Sequence, residues 1–241
     1  MSTSAAALPA ADVAEAPGTA LRKGGGACLI AASLLTFGSG MAHPRSGDEG
    51  FPRPFLDSVV DHRWFWAPDH LVMFFGSLIG IAGLFVLTST LVVGFAGRLA
   101  RGAFAMALVA QAILAGFVAV DGVATPRLAQ AWADATGVAR ESAFASARVA
   151  VEVGWAFNGL FVVSMFGLAF GMYGIALGLD GRYGRLGFAV VPVAVLAVVA
   201  GIVELVAGPK LALVWTQNTL MTLTLVWLSW VGWRLLSDTG Q

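Results

Sequence analysis

Six long apolar stretches run through the chain, at roughly 24–41, 70–96, 102–120, 149–179, 186–207 and 211–236. A bilayer core needs about 20 consecutive apolar residues per helix, so the first stretch is marginal and the fourth longer than needed. No segment alternates with the period of two that a membrane barrel requires. Backbone groups in lipid must be satisfied within their own segment, so the stretches predict helices. The expected fold is an all-α integral membrane protein, a six-transmembrane-helix bundle with two short amphipathic extracytoplasmic helical segments. Residues 1–20, rich in Ala with Pro9 and Pro17, predict a disordered cytoplasmic tail. Residues 21–241 then form a single transmembrane domain.

The two amphipathic segments are the first and third connections. Residues 42–69 open with a polar, proline-rich stretch. A piece follows that puts Phe55, Val59, His62 and Trp66 on one helical face. Pro68 then reads as the first turn of the second span, with Asp69 at the positive end of its dipole. Residues 121–148 begin with Asp121-Gly122, which read as a turn closing the third span. Thr125-Pro126 predicts a cap and first-turn proline, and the short helix carrying Leu128 and Trp132 breaks near Gly137. Both segments are expected to lie at the interface, over one mouth of the bundle.

Charge sets the orientation. Arg22, Lys23, Arg98, Arg101, Arg182, Arg185 and Arg234 fall on one side of a six-span chain, tight against the spans. Seven further basic residues lie on the other side, diluted among acids in long connections. The short-loop set dominates topology, which places both termini in the cytoplasm of a cell-membrane protein. An alternative reading of the first span is a secretory signal, with Arg22-Lys23 before the apolar run and Gly40-Met41-Ala42 at a cleavage site. The single cysteine, Cys28, excludes an intrachain disulfide.

Against this apolar background the acids stand out. The chain is 58% hydrophobic and 12% charged, yet Asp121, Glu152 and Glu204 sit within or at the rim of spans. A carboxylate near hydrocarbon needs a partner, a proton, a metal or a water-filled cavity. By the topology all three lie toward the outer side, as do His43, His62 and His70. Glu152 shares a helical face with Arg148, four residues before it, and with Trp155; an interfacial ion pair with a tryptophan anchor is the plainer reading. Glu204 has apolar neighbours on both sides, and the nearest base, Lys210, can snorkel back to it. The run Thr216-Gln217-Asn218-Thr219 predicts an inward polar face on the last span, or interhelical hydrogen bonding. Gln111 and Asn158 are lone polar residues that read as packing contacts.

The expected site is therefore an outer mouth whose ligand-binding residues are Asp121, Glu152, Trp155, Glu204, Gln217 and Asn218. The metal candidates are His62 and His70, with His43 approaching from the loop and one or two of the three acids completing the set; a divalent ion is the cofactor this implies. His62 and His70 are eight apart and converge only if Pro68 breaks the segment. Bis-histidine haem is disfavoured because no histidine lies deep in a span. A retinal Schiff base is excluded because Lys23 and Lys210, the only lysines, sit at span ends. No phosphate-binding glycine loop or basic stripe suits nucleotides or nucleic acid. Gly76 and Gly80, and the stripe Gly167, Gly171, Gly174 and Gly178, predict close helix packing. Trp227, Trp230 and Trp233 predict an inner aromatic belt.

Three functions fit this pattern. The first is a protein that binds, and in its fuller form transports, a small ligand or cation through the mouth. The second is a membrane-embedded metal-dependent enzyme. The third is an accessory subunit of a membrane complex. The partners expected are the lipid bilayer and either other membrane proteins or a second copy of the chain.

Overall fold

The computed structural model describes residues 18–44 and 52–237, and every regular element in them is helical. The expected tail at 1–20 falls almost wholly outside the described residues, as does much of the polar stretch after His43. Helix α1 spans Thr19–Ala42, α2 Pro52–Asp61, α3 Arg63–Thr90 and α4 Gly94–Phe117. A π-helical segment, Val118–Ala124, carries α4 without a break into α5, Thr125–Asp134. Helix α6, Gly137–Phe161, continues through a second π-helical segment, Val162–Ala169, into α7, Phe170–Asp180. A short 3₁₀ turn leads to α8, Val190–Ala207, and the described chain closes with α9, Leu211–Ser237. Six of the resulting helical rods are long and apolar enough to cross a membrane.

Two expected boundaries are corrected. Helix α3 starts at Arg63, so Pro68 lies inside it and not at its first turn. Proline removes one N–H from a helix, and here the carbonyl left without it belongs to Trp64, at the exposed start of the rod. Asp121 does not close a helix either. It sits in the wide π-helical turn and the rod runs on for another thirteen residues, to Asp134. The break near Gly137 is as expected: Gly137 takes a φ of +56°, which an L side chain resists.

Small residues set the helix spacing. Gly76 and Gly80 face Leu35, Thr36 and Ala32 of α1, and Gly26 of α1 meets the Gly232 carbonyl of α9. Gly167, Gly171 and Gly174 face Val198, Ala194 and Val190 of α8. A side chain at these points would push backbones apart, so the glycine stripe is a packing device. The main core fills the space between, around Leu84, Leu114, Phe166 and Tyr173. A second, smaller apolar cluster lies at one end of the bundle. There α2 and α5 lay Phe55, Leu56, Val59 and Trp132 over Trp66 and Val151. The amphipathic segments thus form a roof over the end where the α1, α5 and α8 C-termini meet the α3, α6 and α9 N-termini. At the opposite end Trp227 is buried and donates to the Leu186 carbonyl, while Trp233 is largely exposed.

Candidate metal centre

Under that roof the structure brings together two histidine–aspartate pairs. Asp69 and His70 are consecutive on α3, and consecutive helical positions point about 100° apart. Asp69 therefore looks toward α1 and His70 toward the π-helical turn. On the α1 side, Ser39 Oγ donates to Asp69 Oδ1 at 2.7 Å, and His43 Nδ1 lies 2.8 Å from Asp69 Oδ2. His43 caps α1 through its backbone N–H to the Ser39 carbonyl, which fixes the ring's approach. On the other side, His70 Nε2 stands 2.7 Å from Asp121 Oδ2, and His70 Nδ1 is 2.8 Å from the Trp66 carbonyl. A carbonyl only accepts, so Nδ1 carries a hydrogen; the contact between Nε2 and the carboxylate then holds a second proton, on the ring or on Asp121, which a metal ion would displace.

Trp66 holds both halves of the second pair. Its carbonyl takes the His70 hydrogen, and its indole N–H donates to the Asp121 backbone carbonyl at 2.9 Å. That carbonyl belongs to the π-helical turn, whose widened register brings Asp121 round to face α3. Such turns recur at functional sites because they re-aim a side chain without ending the helix. Gly122 makes the approach possible: a Cβ there would stand 2.8 Å from His70 Cβ. The His43 and His70 rings meet edge to face with centroids 5.2 Å apart. Asp69, His70 and Asp121 are buried, and His43 is half-buried.

One potential ligand atom from each of His43, Asp69 and His70 falls within 4.8 Å of the others. Two ligands on a tetrahedral zinc ion stand about 3.3 Å apart, given bonds of about 2.0–2.1 Å. The pairs are closer than that at 2.7 and 2.8 Å, so they stand hydrogen-bonded and would open by about half an ångström around an ion. Beside them lies a cavity of about 140 Å³, large enough for an ion with several waters. Trp155, Asn158, Gln217 and Asn218 form its further wall.

The acids expected to share one mouth are divided. Asp121 lines this cavity, whereas Glu152 and Glu204 line a wider, open pocket of about 890 Å³ next to it. Glu152 is an exposed ion pair with Arg148 at 2.8 Å. Glu204 is buried and bound by amides: Asn158 Nδ2 donates to both its oxygens at 3.1 and 3.2 Å, and Gln217 Nε2 donates to Oε2 at 2.8 Å. Lys210 is exposed and makes no ion pair with it among the described residues. Trp155 borders both spaces.

His62 is not brought to His70. It is exposed at the end of α2, where its Nδ1 bonds the Ser58 carbonyl. The polar run on α9 also divides. Gln217 points inward, while Thr216 and Thr219 return their hydroxyls to carbonyls one turn back on their own helix. Asp69, Ser39 and Trp66 are site residues that the sequence reading missed. The adjacent Asp69-His70 pair, with Trp66 one turn before, was the available signal. No protein-family model matches the chain, and no curated protein or solved structure matches it.

Proposed function

We propose that this is a multi-pass membrane protein that binds a divalent transition-metal ion in the roofed cavity, at His43, Asp69 and His70 with Asp121 beside them. The observation that carries the reading is that one ligand atom from each of the first three lies within 4.8 Å of the others, next to a cavity. Two imidazoles and carboxylate oxygens suit zinc and its first-row neighbours. The Trp66 carbonyl accepts from His70 Nδ1. That is the arrangement that leaves Nε2 as the donor and holds the ring still. Burial supports the reading too, because carboxylates in an apolar bundle need a positive charge or a proton.

Six long apolar helices with outward-facing Leu, Val and Phe side chains support insertion in a bilayer. The arginine-rich short turns support a cytoplasmic position for both termini, which puts the cavity at the extracytoplasmic end. Uptake or delivery of the ion there is the physiological role this arrangement favours. A second reading, metal-dependent catalysis, draws on the same cavity, since the space beside the cluster leaves room for a small substrate.

Metal analysis of the purified protein after zinc exposure and gel filtration tests the proposal. About one ion per chain is expected, falling to background in a His43→Ala/His70→Ala double variant that remains folded. Zinc retained equally by the double variant, or none retained by the unaltered chain, would overturn it.

A further inference from the structure

Glu204 is independent of the metal cluster, sharing no bond with it. It is 3% exposed, in the last turn of α8, and both of its oxygens are occupied by neutral amide donors. Oε2 accepts from Asn158 and Gln217, and Oε1 from Asn158 alone. A carboxylate has about four acceptor positions, so one remains, on Oε1. The group itself lines the wide pocket, while the two amides that hold it line the metal cavity. A Cβ on Gly159 would stand 3.2 Å from Oε2, so the α6 backbone closes that side and the pocket is the way in.

The charged neighbours are paired elsewhere or exposed. On α6, Arg148 is paired with Glu152, and from α2, Arg53 lies 3.5 Å from Glu141. Lys210, beyond α8, is exposed. Arg140 of α6 lies over the Trp132 ring, and the remaining elements packed on α8 carry Tyr173, Asp180, Arg185 and Arg234, all toward the opposite end of the bundle. A buried carboxylate normally has an arginine or lysine to hold it ionised. This one has two amides instead, and an amide is ambivalent: its NH₂ donates to a carboxylate, and its oxygen accepts from a carboxylic acid after the group turns over.

We propose that Glu204, with Asn158 and Gln217, is a proton-loading site opening to the wide pocket and separate from the metal centre. A hydronium ion reaching Oε1 through the pocket gives up a proton: its O–H bond breaks to leave water, an O–H bond forms on Oε1, and the carboxylate's negative charge is lost. Asn158 turns its amide so that Oδ1 accepts from the new hydroxyl, and Gln217 keeps its bond to Oε2. Release reverses both movements. No other reactant is needed, since a proton is the whole cargo.

Infrared difference spectroscopy on the full-length protein in lipid nanodiscs, stepped between about pH 5 and about pH 9, reads the site directly. The carboxylic C=O band should appear and vanish reversibly with pH. It should be missing from Glu204→Gln, which keeps the side-chain shape, and displaced in Glu204→Asp. Gln217→Leu, which removes one donor from Oε2, should shift the pH at which the band appears. A band that titrates unchanged in Glu204→Gln, or no titrating band in the unaltered protein, would overturn the proposal. If Glu204→Gln fails to accumulate, an identical band in Glu204→Asp would do the same. Zinc binding by the His43/His70 cluster enters none of these readouts.

Discussion

Removing His70 and Asp121 singly and together measures how much the buried pair holds the site in shape. The two side chains are 2% and 7% exposed, with nitrogen and oxygen 2.7 Å apart. His70→Ala leaves the Asp121 carboxylate buried with its best partner gone, and the Trp66 carbonyl loses its second donor. Asp121→Ala leaves the imidazole facing a void across Gly122. Breaking one side of a buried pair costs about 3–5 kcal/mol, most of it the burden of the group left behind. The double variant strands neither. It should therefore be more stable than the two single losses predict, by about 2–3 kcal/mol, the upper range for coupled neighbours. The assay is reversible SDS unfolding in mixed micelles followed by circular dichroism. Chelator is kept present so that metal binding adds nothing to the folded state. Additive losses within about 0.5 kcal/mol would refute the pairing, as would single losses below about 1 kcal/mol.

Other expectations follow from the same geometry. Gly122→Ala forces a Cβ to 2.8 Å from His70 Cβ and should cost about 1–3 kcal/mol in that assay, with weaker zinc retention; unchanged values would show that the π-helical turn relaxes freely. In a Cys28→Ser background, an impermeant maleimide applied from outside should modify Ser142→Cys, on the roofed end, and reach Arg185→Cys only after permeabilisation. The reverse pattern would invert the orientation, and labelling of both in intact cells would break the six-span arrangement.

The helices were legible in the sequence because a hydrocarbon-length apolar run has few other interpretations. The glycine stripe was legible for a similar reason, as a small residue every third or fourth position has a geometric meaning that side-chain chemistry does not disturb. The site was less so. Asp69 reads as an acid favoured by a helix dipole when Pro68 is taken as the first turn. Placing the helix start at Arg63 moves Asp69 into the second turn, where it faces Ser39 and His43. Asp121-Gly122 carries the signature of a turn, whereas in the structure it is a π-helical continuation packed against α3, a contact made across the chain. His62 shares a face with Val59 in the helical pattern, but α2 ends at Asp61 and the ring turns back to the Ser58 carbonyl. Asn158 read as packing glue because its partner, Glu204, lies 46 residues away on another helix. In each case local chemistry was visible and the partner across the bundle was not.

X-ray absorption at the zinc edge on the loaded protein reads whether His43 and His70 hold the ion. A first shell of nitrogen and oxygen at about 2.0–2.1 Å is expected, with the outer-shell scattering of two imidazoles. One imidazole signature should be lost in His43→Ala and one in His70→Ala, and both retained in His62→Ala. A shell of oxygens alone, or an imidazole signal that His62→Ala removes and His43→Ala leaves, would contradict it.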